Sequence, residues 1–367
     1  MATIKELVHY YIQQKTPFAL YRFPESDKIH LIAQPSNAAT AIAAEKDFTQ
    51  QKGFVFAPFV NGKYPTLFIN AEKEFTFQNF DESVELSDKL NAETISEVSE
   101  NNYTPTTKEE YITNVARSIE TIKCGTLDKV VISGVSIKEV ATDFNVMNYY
   151  ENLCKQYPNV LVYLFFSIES GLWVGATPEL LLQLSDKQLK TVSLAGTKSL
   201  KNKNAETLWQ RKEVDEQYLV TKHIQDCFQQ HFSEPLEISE TKTISTGHLL
   251  HLRTDFKLQS QNGSLQKHFF SFLKDLHPTP AVGGSAKTNA IAHILNTEKH
   301  ERAYYTGYLG PVNVEGNSNL YVNLRCLKYE NGKLILFSGA GITADSIPEK
   351  EWEEIQLKAE TLLKLLE

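Results

Sequence analysis

The amino-acid sequence predicts an α+β fold with large, mostly antiparallel β-sheets. Over about the first 80 residues, short runs rich in β-branched and aromatic residues alternate with turn residues. The remaining sequence mixes strands and helices without the regular alternation that a doubly wound parallel sheet would show. We found no internal repeat and no low-complexity segment. These observations favour antiparallel sheets with helices added to them.

The N-terminal elements begin with a short amphipathic helix near residues 6–14. Four strand-like segments follow: FALYRF, KIHLIAQ, GFVFAPF and TLFINAEKEFTFQ. Residues 81–107 are rich in Ser, Asn, Glu and Thr, which indicates a linker or a long surface loop. Thr107 and Glu110 match a capping box that opens a helix, and Gly125 marks its end.

A strand, Lys129-Val-Val-Ile-Ser, is predicted directly after this helix. Further strands are predicted at 159–175, 188–195, 236–260 and 318–341, and further helices at about 206–230 and 350–366.

Charge and composition exclude several classes of protein. The chain has 367 residues with 37 Lys+Arg and 45 Asp+Glu, a formal net charge of −8, and it lacks the basic stripe of a nucleic-acid binder. The most apolar run, residues 160–166, is shorter than the ~20 residues of a membrane-spanning helix. The four cysteines form no CxxC pair, and the N-terminus has no apolar signal region. We therefore expect a cytoplasmic protein that acts on neither nucleic acid nor membranes.

Several titratable residues are candidates for chemistry. Lys129 begins a strand that should be buried, and a buried lysine tends to lose its proton and act as a base. Glu179 lies between apolar segments, where a desolvated carboxyl could keep its proton and act as an acid. Taken alone, a strand-end lysine and a surface glutamate explain the same residues.

Two helices carry acidic clusters, 212–216 and 351–354. A carboxylate from each could hold Mg²⁺, which usually takes only one or two carboxylates, although solvated helix surfaces explain both clusters as well. Gly339-Ala-Gly341 ends a strand, where it forms either a tight turn or a group of backbone N–H donors for an anion.

Eight short motifs occur in a fixed order between residues 129 and 358. They are Lys129-Val-Val-Ile-Ser, Gly175-Ala-Thr-Pro-Glu-Leu-Leu, Leu194-Ala-Gly-Thr197, His251-Leu-Arg-Thr254, Leu276-His-Pro-Thr-Pro-Ala-Val-Gly-Gly284, Arg325-Cys326, Ser338-Gly-Ala-Gly-Ile342 and Glu354-xxx-Lys358. As a set they resemble the chorismate-utilising enzymes. That family includes isochorismate and salicylate synthases and the synthase components for anthranilate and aminodeoxychorismate.

The resemblance implies a single domain over residues 1–367, in which two large, mostly antiparallel sheets pack together with helices outside. Residues 1–100 would be a variable strand-rich part, and 107–366 the region that binds chorismate. By the same resemblance Glu216 and Glu354 are the Mg²⁺ ligands. The residues expected to contact substrate are Gly196, Thr197, His251, Tyr308, Arg325, Gly339 and Lys358. A dianionic substrate needs such cations, backbone N–H groups and a metal.

Lys129 bears on which reaction the chain would catalyse. Aminating members of the family resemble each other in having Gln at this position, so Lys129 favours water as the nucleophile. The resemblance then implies isochorismate formation with Lys129 as base and Glu179 as acid, and no obligatory glutaminase subunit. Salicylate synthase, which also eliminates pyruvate, is the alternative, and an aminating component is a weaker one. The product could feed menaquinone or siderophore synthesis.

Three positions depart from the family pattern. Gly134 replaces a usual Arg, Gln217 follows Glu216 where His is usual, and residues 308–313 read YLGPVN where an aromatic-flanked GPVGW is common. These departures concern details of the pocket and the rate, whereas the reaction class rests on Lys129 and Glu179.

Overall fold

A computed structural model describes residues 1–36, 38–42, 47–84, 103–141, 144–199, 209–246, 249–261 and 263–366. The seven helices within these ranges are α1 (Ile4–Gln13), α2 (Lys108–Lys123), α3 (Val146–Gln156), α4 (Arg211–His231), α5 (Ser264–Leu276), α6 (Lys287–Thr297) and α7 (Pro348–Leu363).

The strands in the N-terminal half are β1 (Ala2–Thr3), β2 (Phe18–Arg22), β3 (Ile29–Ala33), β4 (Thr40–Ile42), β5 (Gly53–Ala57), β6 (Thr66–Asn70), β7 (Lys73–Phe77), β8 (Ser83–Val84), β9 (Lys129–Glu139), β10 (Leu161–Ser167) and β11 (Gly171–Thr177). Those that follow are β12 (Leu180–Leu184), β13 (Gln188–Ser199), β14 (Leu236–Ile238), β15 (Lys242–Thr246), β16 (Leu249–Gln259), β17 (Gly284–Ser285), β18 (Tyr308–Val312), β19 (Ser318–Val322), β20 (Cys326–Glu330) and β21 (Lys333–Ile342).

Two large sheets organise the fold. One has nine strands in the order β17-β9-β21-β20-β11-β10-β2-β3-β7, and the other follows the order β14-β16-β13-β12-β19-β18-β5-β6-β4, with β15 paired to β16. All the strand pairings in both sheets are antiparallel. The predicted α+β class with mostly antiparallel sheets is confirmed.

An aromatic core lies between the two sheets. Phe56 of one sheet stacks on Phe165 of the other, with 4.3 Å between ring centroids. Strand β10 shows how the sequence encodes this layer, because alternate residues of a strand point to opposite faces. Residues 161, 163 and 165 enter the core between the sheets, whereas residues 162, 164 and 166 pack in the cluster that also holds α1 and α3. A strand covered on both sides is expected to be largely apolar, and residues 161–166 of this strand are aliphatic or aromatic.

Helices cover the outer faces of both sheets. Residues of α1 and α3 pack against the nine-stranded sheet, and those of α4 and α5 pack against the other one. Residues of α2, α6 and α7 cluster with β9 and β21. Helices α4 and α7 thus lie where their side chains can reach the ends of strands from both sheets, which positions the site described below.

Each predicted helix is present in the structure, and its ends lie within a few residues of the predicted ones. Thr107 is the N-cap of α2, and its Oγ1 accepts a hydrogen bond from the Glu110 N–H at 3.2 Å. The predicted helix over 206–230 is α4, whose first three predicted residues lie outside the described ranges. Most of the predicted linker, 85–102, also lies outside them. Helices α3, α5 and α6 were not predicted.

Candidate active site

The floor of the site is the antiparallel pair β9 and β21. Their register places Gly341 opposite Val131 and Gly339 opposite Ser133. Val131, Gly339 and Gly341 line a single cleft, which also receives side chains from α4, α7 and the second sheet. The empty space of this cleft, counted out to solvent, is about 710 Å³.

One wall comes from strands β13 and β16 of the second sheet. The pairing of these strands shifts register between Ala195 and Lys198. At this bulge Gly196 has a left-handed backbone, with φ of 70°, and both Gly196 and Thr197 line the cleft. Bulges commonly re-aim residues beside active sites. His251 on β16 lies against this bulge.

The tautomer of His251 follows from its hydrogen bonds. Its Nδ1 lies 2.9 Å from the Gly196 carbonyl oxygen. Because a carbonyl only accepts, Nδ1 carries the hydrogen and Nε2 is left as an acceptor. Burial lowers the pKa of His251 to about 3, and the nearby Arg325 acts in the same direction. The ring is therefore neutral, and its buried Nε2 has no hydrogen-bond partner among the described residues.

Helices α4 and α7 bring carboxylates to the cleft. Glu216 on α4 and Glu354 on α7 both line it. Burial alone would raise the pKa of Glu216, yet the ammonium groups of Lys129, Lys212 and Lys358 outweigh burial and lower that pKa. Glu216 is thus ionised at neutral pH.

Each carboxylate of this cluster is matched by a lysine. Lys129 Nζ lies 2.8 Å from Glu216 Oε1, and Lys358 Nζ lies 2.7 Å from Glu354 Oε1. The third pair joins Lys212 on α4 to the buried Glu351 on α7, so it also ties the two helices together. No group of three or more His, Cys, Asp or Glu side chains close enough to hold a metal occurs in the described ranges.

Glu179 occupies the short connection between β11 and β12. The residue is buried, and burial raises its pKa to about 8, although Lys129 and Lys358 oppose the rise. The carboxyl is therefore mostly protonated at neutral pH and can donate a proton into the cleft. Of the two alternatives that the sequence left open, a desolvated carboxyl and a surface glutamate, the structure shows the first.

Arg325 and Lys358 supply positive charge for an anionic ligand. Arg325 directly precedes β20 in a left-handed conformation, with φ of 47°, and its guanidinium makes no ion pair within the described part of the chain. Lys358 Nζ also donates to the Gly339 carbonyl oxygen at 2.8 Å. A non-glycine residue with positive φ is uncommon and often marks a functional site.

Nine of the eleven predicted site residues line this cleft together. They are Glu179, Gly196, Thr197, Glu216, His251, Arg325, Gly339, Glu354 and Lys358. Lys129 does not line it, because the fully buried ammonium lies behind the Glu216 carboxylate.

Tyr308 is the predicted site residue that the structure places elsewhere. Its ring packs against His277, with 5.0 Å between centroids, and it does not line the cleft. Tyr305 lines the cleft instead, and its ring stacks on Phe337 at 5.4 Å. The chain turns between the two tyrosines at Thr306, whose φ is 60°, so strand alternation could not indicate which of them faces the site.

Comparisons with known proteins show the family to which the chain belongs. A family model described as "Chorismate binding enzyme" matches residues 62–367. The isochorismate synthase EntC of Escherichia coli strain K12 is 30% identical over 260 residues, which are 68% of this chain and 65% of EntC. Anthranilate synthase component 1 of Aquifex aeolicus is 27% identical over 276 residues, which are 71% of this chain and 53% of that protein. The chain thus spans less than two thirds of the length of these relatives.

A solved structure shares the fold. The menaquinone-specific isochorismate synthase MenF of Escherichia coli superimposes with a TM-score of 0.78 at 21% identity, over 97% of this chain and 90% of MenF. Within the described residues, none of the helices could cross a membrane. Because the family model covers well over half of the sequence, the protein belongs to the family of chorismate-binding enzymes.

Proposed function

We propose that this protein is an isochorismate synthase, which converts chorismate reversibly into isochorismate. The observation that carries the proposal is the presence of a buried lysine and a buried, protonated carboxyl beside one cleft. Lys129 lies behind Glu216, and Glu179 lies on the connection after β11. Family membership alone does not select this reaction, since EntC and the Aquifex anthranilate synthase component are similar to this chain at comparable identity.

The proposed reaction adds water at C2 of the ring and releases the C4 hydroxyl. Lys129 takes a proton from the attacking water, and Glu179 gives a proton to the departing hydroxyl, which leaves as water while the ring double bonds shift. One water enters and one leaves, so the reaction is an isomerisation. The raised pKa of Glu179 suits the acid, because its proton is still present near neutral pH.

Lys129 can reach the cleft only past Glu216. The side chain is fully buried, with Nζ 2.8 Å from Glu216 Oε1. Because an ammonium has no lone pair, Lys129 must break this contact and give up one proton before it can accept a proton from water. Glutamine at this position could not accept that proton. Lys129 therefore also favours a reaction that needs neither ammonia nor a glutaminase subunit.

Substrate binding would use the acceptor nitrogen of His251 and the positive charges of Arg325 and Lys358. Arg325 and Lys358 can hold the two carboxylates of chorismate through charge-assisted hydrogen bonds. His251 Nε2 is fixed as an acceptor and can take a hydrogen bond from a ring hydroxyl. Gly196 and Thr197 form the surface beneath the ring.

A magnesium ion fits the donors that are present. Glu216 and Glu354 offer carboxylate oxygens to one cleft, Glu216 is ionised, and Mg²⁺ is commonly held by one or two carboxylates together with water and ligand oxygens. When bound there, Mg²⁺ would supply positive charge for the ring carboxylate of the substrate. Lys129 and Lys358 now occupy these carboxylates, so the chain keeps them neutralised by its own side chains.

Isotope labelling tests the chemistry of this proposal. The purified protein is incubated with chorismate and Mg²⁺ in H₂¹⁸O, and the product is analysed by mass spectrometry. Addition of solvent water predicts isochorismate with one ¹⁸O atom, located at C2. Isochorismate without the label would exclude water as the nucleophile and with it the role of Lys129.

A further inference from the structure

Two glycines lie in the C-terminal part of strand β21. Gly339 and Gly341 pair with Ser133 and Val131 of β9, whereas the pairing of β21 with β20 ends at Leu336. Glycine weakens a strand, because it loses more backbone freedom on folding and has no side chain to pack. Neither residue is among those with a positive φ, so the backbone conformation does not require glycine at either position.

Space explains the glycine at Gly341. A Cβ atom added there would overlap Glu216 Oε1, and it would lie 2.9 Å from Lys129 Cε and 3.1 Å from Glu216 Cδ. Real Cβ atoms essentially never show contacts under 3.0 Å. The space that a side chain would need is therefore the space in which the Glu216 carboxylate meets the Lys129 ammonium.

We propose that Gly341 is a positioning residue. Because it has no side chain, it leaves the space in which Lys129 and Glu216 form their ion pair beneath the cleft. The steric part of this inference stands on geometry alone. Its consequence for the reaction rests on the proposed function, in which Lys129 is the base and Glu216 a metal ligand.

A methyl group at this position would act on the ion pair rather than on the strand. Lys129 is fully buried, so its side chain has little room to retreat. The Glu216 side chain keeps 14% of its surface exposed toward the cleft, so the carboxylate is the partner that would move. Its displacement would separate the pair and shift the oxygens that are proposed to hold Mg²⁺.

Melting temperatures of the metal-free protein test the steric claim without reference to activity. Gly341→Ala is measured in the parent protein and in a background in which Lys129→Ala and Glu216→Ala remove both partners of the pair. We expect a fall of at least about 3 °C in the parent. In the pair-deleted background the methyl has room, so we expect no fall. An equal fall in both backgrounds would overturn the proposal.

A variant that fails to fold is also informative. If Gly341→Ala alone does not fold, the proposal requires folding to return when it is combined with Lys129→Ala and Glu216→Ala, and failure of that rescue would overturn it. Gly283→Ala is the matched control, because a Cβ at Gly283 meets its nearest neighbours at an ordinary 3.5 Å and the residue has no positive φ. Its melting temperature should stay close to that of the parent.

Calorimetric titration with Mg²⁺ tests the positioning role. We expect Gly341→Ala to bind Mg²⁺ about tenfold or more weakly than the parent, whereas Gly283→Ala should bind it as the parent does. Unchanged Mg²⁺ affinity in Gly341→Ala would contradict positioning of Glu216. A parent protein that binds no Mg²⁺ would instead refute the proposed metal site, and the melting temperatures would still decide the role of Gly341.

Discussion

Lys129 and Glu216 form an ion pair in which the two partners differ in their access to the substrate. Lys129 Nζ is 2.8 Å from Glu216 Oε1, and the lysine side chain is fully buried while the glutamate side chain keeps 14% of its surface exposed. Of these two residues, only Glu216 lines the cleft. The pair therefore couples the proposed base to the proposed metal ligand, and the predictions below separate their contributions.

Replacing Lys129 tests the base. Lys129→Gln should lower kcat by about 10²- to 10⁴-fold, because glutamine cannot accept a proton from water. Lys328→Gln is the matched control, since Lys328 is another buried lysine of the same sheet and pairs with Glu330 at 2.7 Å away from the cleft. Both variants lose a buried ion pair and some stability. Steady-state kinetics should show the large loss in Lys129→Gln alone, and normal isochorismate production by that variant would exclude Lys129 as the base.

Replacing Glu354 tests the metal site. Glu354→Ala should weaken Mg²⁺ binding by more than about a hundredfold and abolish turnover, because a direct ligand contributes more than an outer-shell partner does. Glu353→Ala provides the control, as Glu353 is the adjacent and exposed residue of the same helix. Calorimetry with Mg²⁺ measures both variants, and an unchanged titration of Glu354→Ala would remove this ligand from the account.

The pH dependence should follow Glu179. Burial raises its pKa from an ordinary 4.5 to about 8, so between these values the native state holds a proton that the unfolded chain has released. The corresponding stability is fully present below about pH 4.5, declines as the pH rises and is lost above about pH 8. The rate of isochorismate formation should also fall as the pH rises through about 8, because Glu179 then loses the proton that it donates.

Rate measurements and urea unfolding across this range test that expectation. Glu179→Gln should be inactive at every pH and should lack the part of the stability change that this carboxyl causes. Full activity of the parent well above pH 8, or retained turnover by Glu179→Gln, would mean that another group is the acid.

Arg325 should determine the affinity for substrate. Arg325→Gln removes from the cleft a guanidinium that makes no ion pair with the described residues, and we expect KM for chorismate to rise about ten- to hundredfold. Arg253→Gln serves for comparison, because Arg253 is paired with Asp255 at 2.6 Å and does not line the cleft. Equal KM values for the two variants would contradict a role for Arg325 in binding.

Two tyrosines distinguish the sequence-based expectation from the structure. Tyr305 lines the cleft, and its hydroxyl would lie 3.0 Å from a Cβ at Gly339, whereas Tyr308 packs against His277. Tyr305→Phe should raise KM for chorismate by about two- to tenfold, through loss of one hydrogen bond, and Tyr308→Phe should leave it unchanged. The opposite pattern of KM values would restore Tyr308 as the substrate-binding residue.

Much of the site was predictable because the residues that form it lie in short, ordered motifs. Residue type and local surroundings left Glu179 as either a candidate acid or a surface glutamate, and the structure shows that it is buried. The pairing of Lys129 with Glu216 was not predictable. It joins the first residue of β9, Lys129, to helix α4, which begins 82 residues later at Arg211. Spacing along a sequence carries no signal for such a contact.

The fold was predictable in class and less so in its elements. Long strands such as β9 and β10 show strong β-propensity, and both were predicted. Helices α5 and α6 were not, although α5 buries a full apolar face that includes Phe269 and Phe272. Their N-caps, Gly263 and Ala286, are left-handed and provide no side-chain cap, so the usual signal of a helix start is missing.

The central claim is that the protein adds water to chorismate in a Mg²⁺-dependent reaction, and proton NMR of the reaction mixture tests it most directly. The purified protein is mixed with chorismate with and without Mg²⁺, and then with ammonia. The account predicts isochorismate in equilibrium with chorismate, only when Mg²⁺ is present and independently of ammonia. Salicylate with pyruvate, or a product that forms only after ammonia is added, would contradict it.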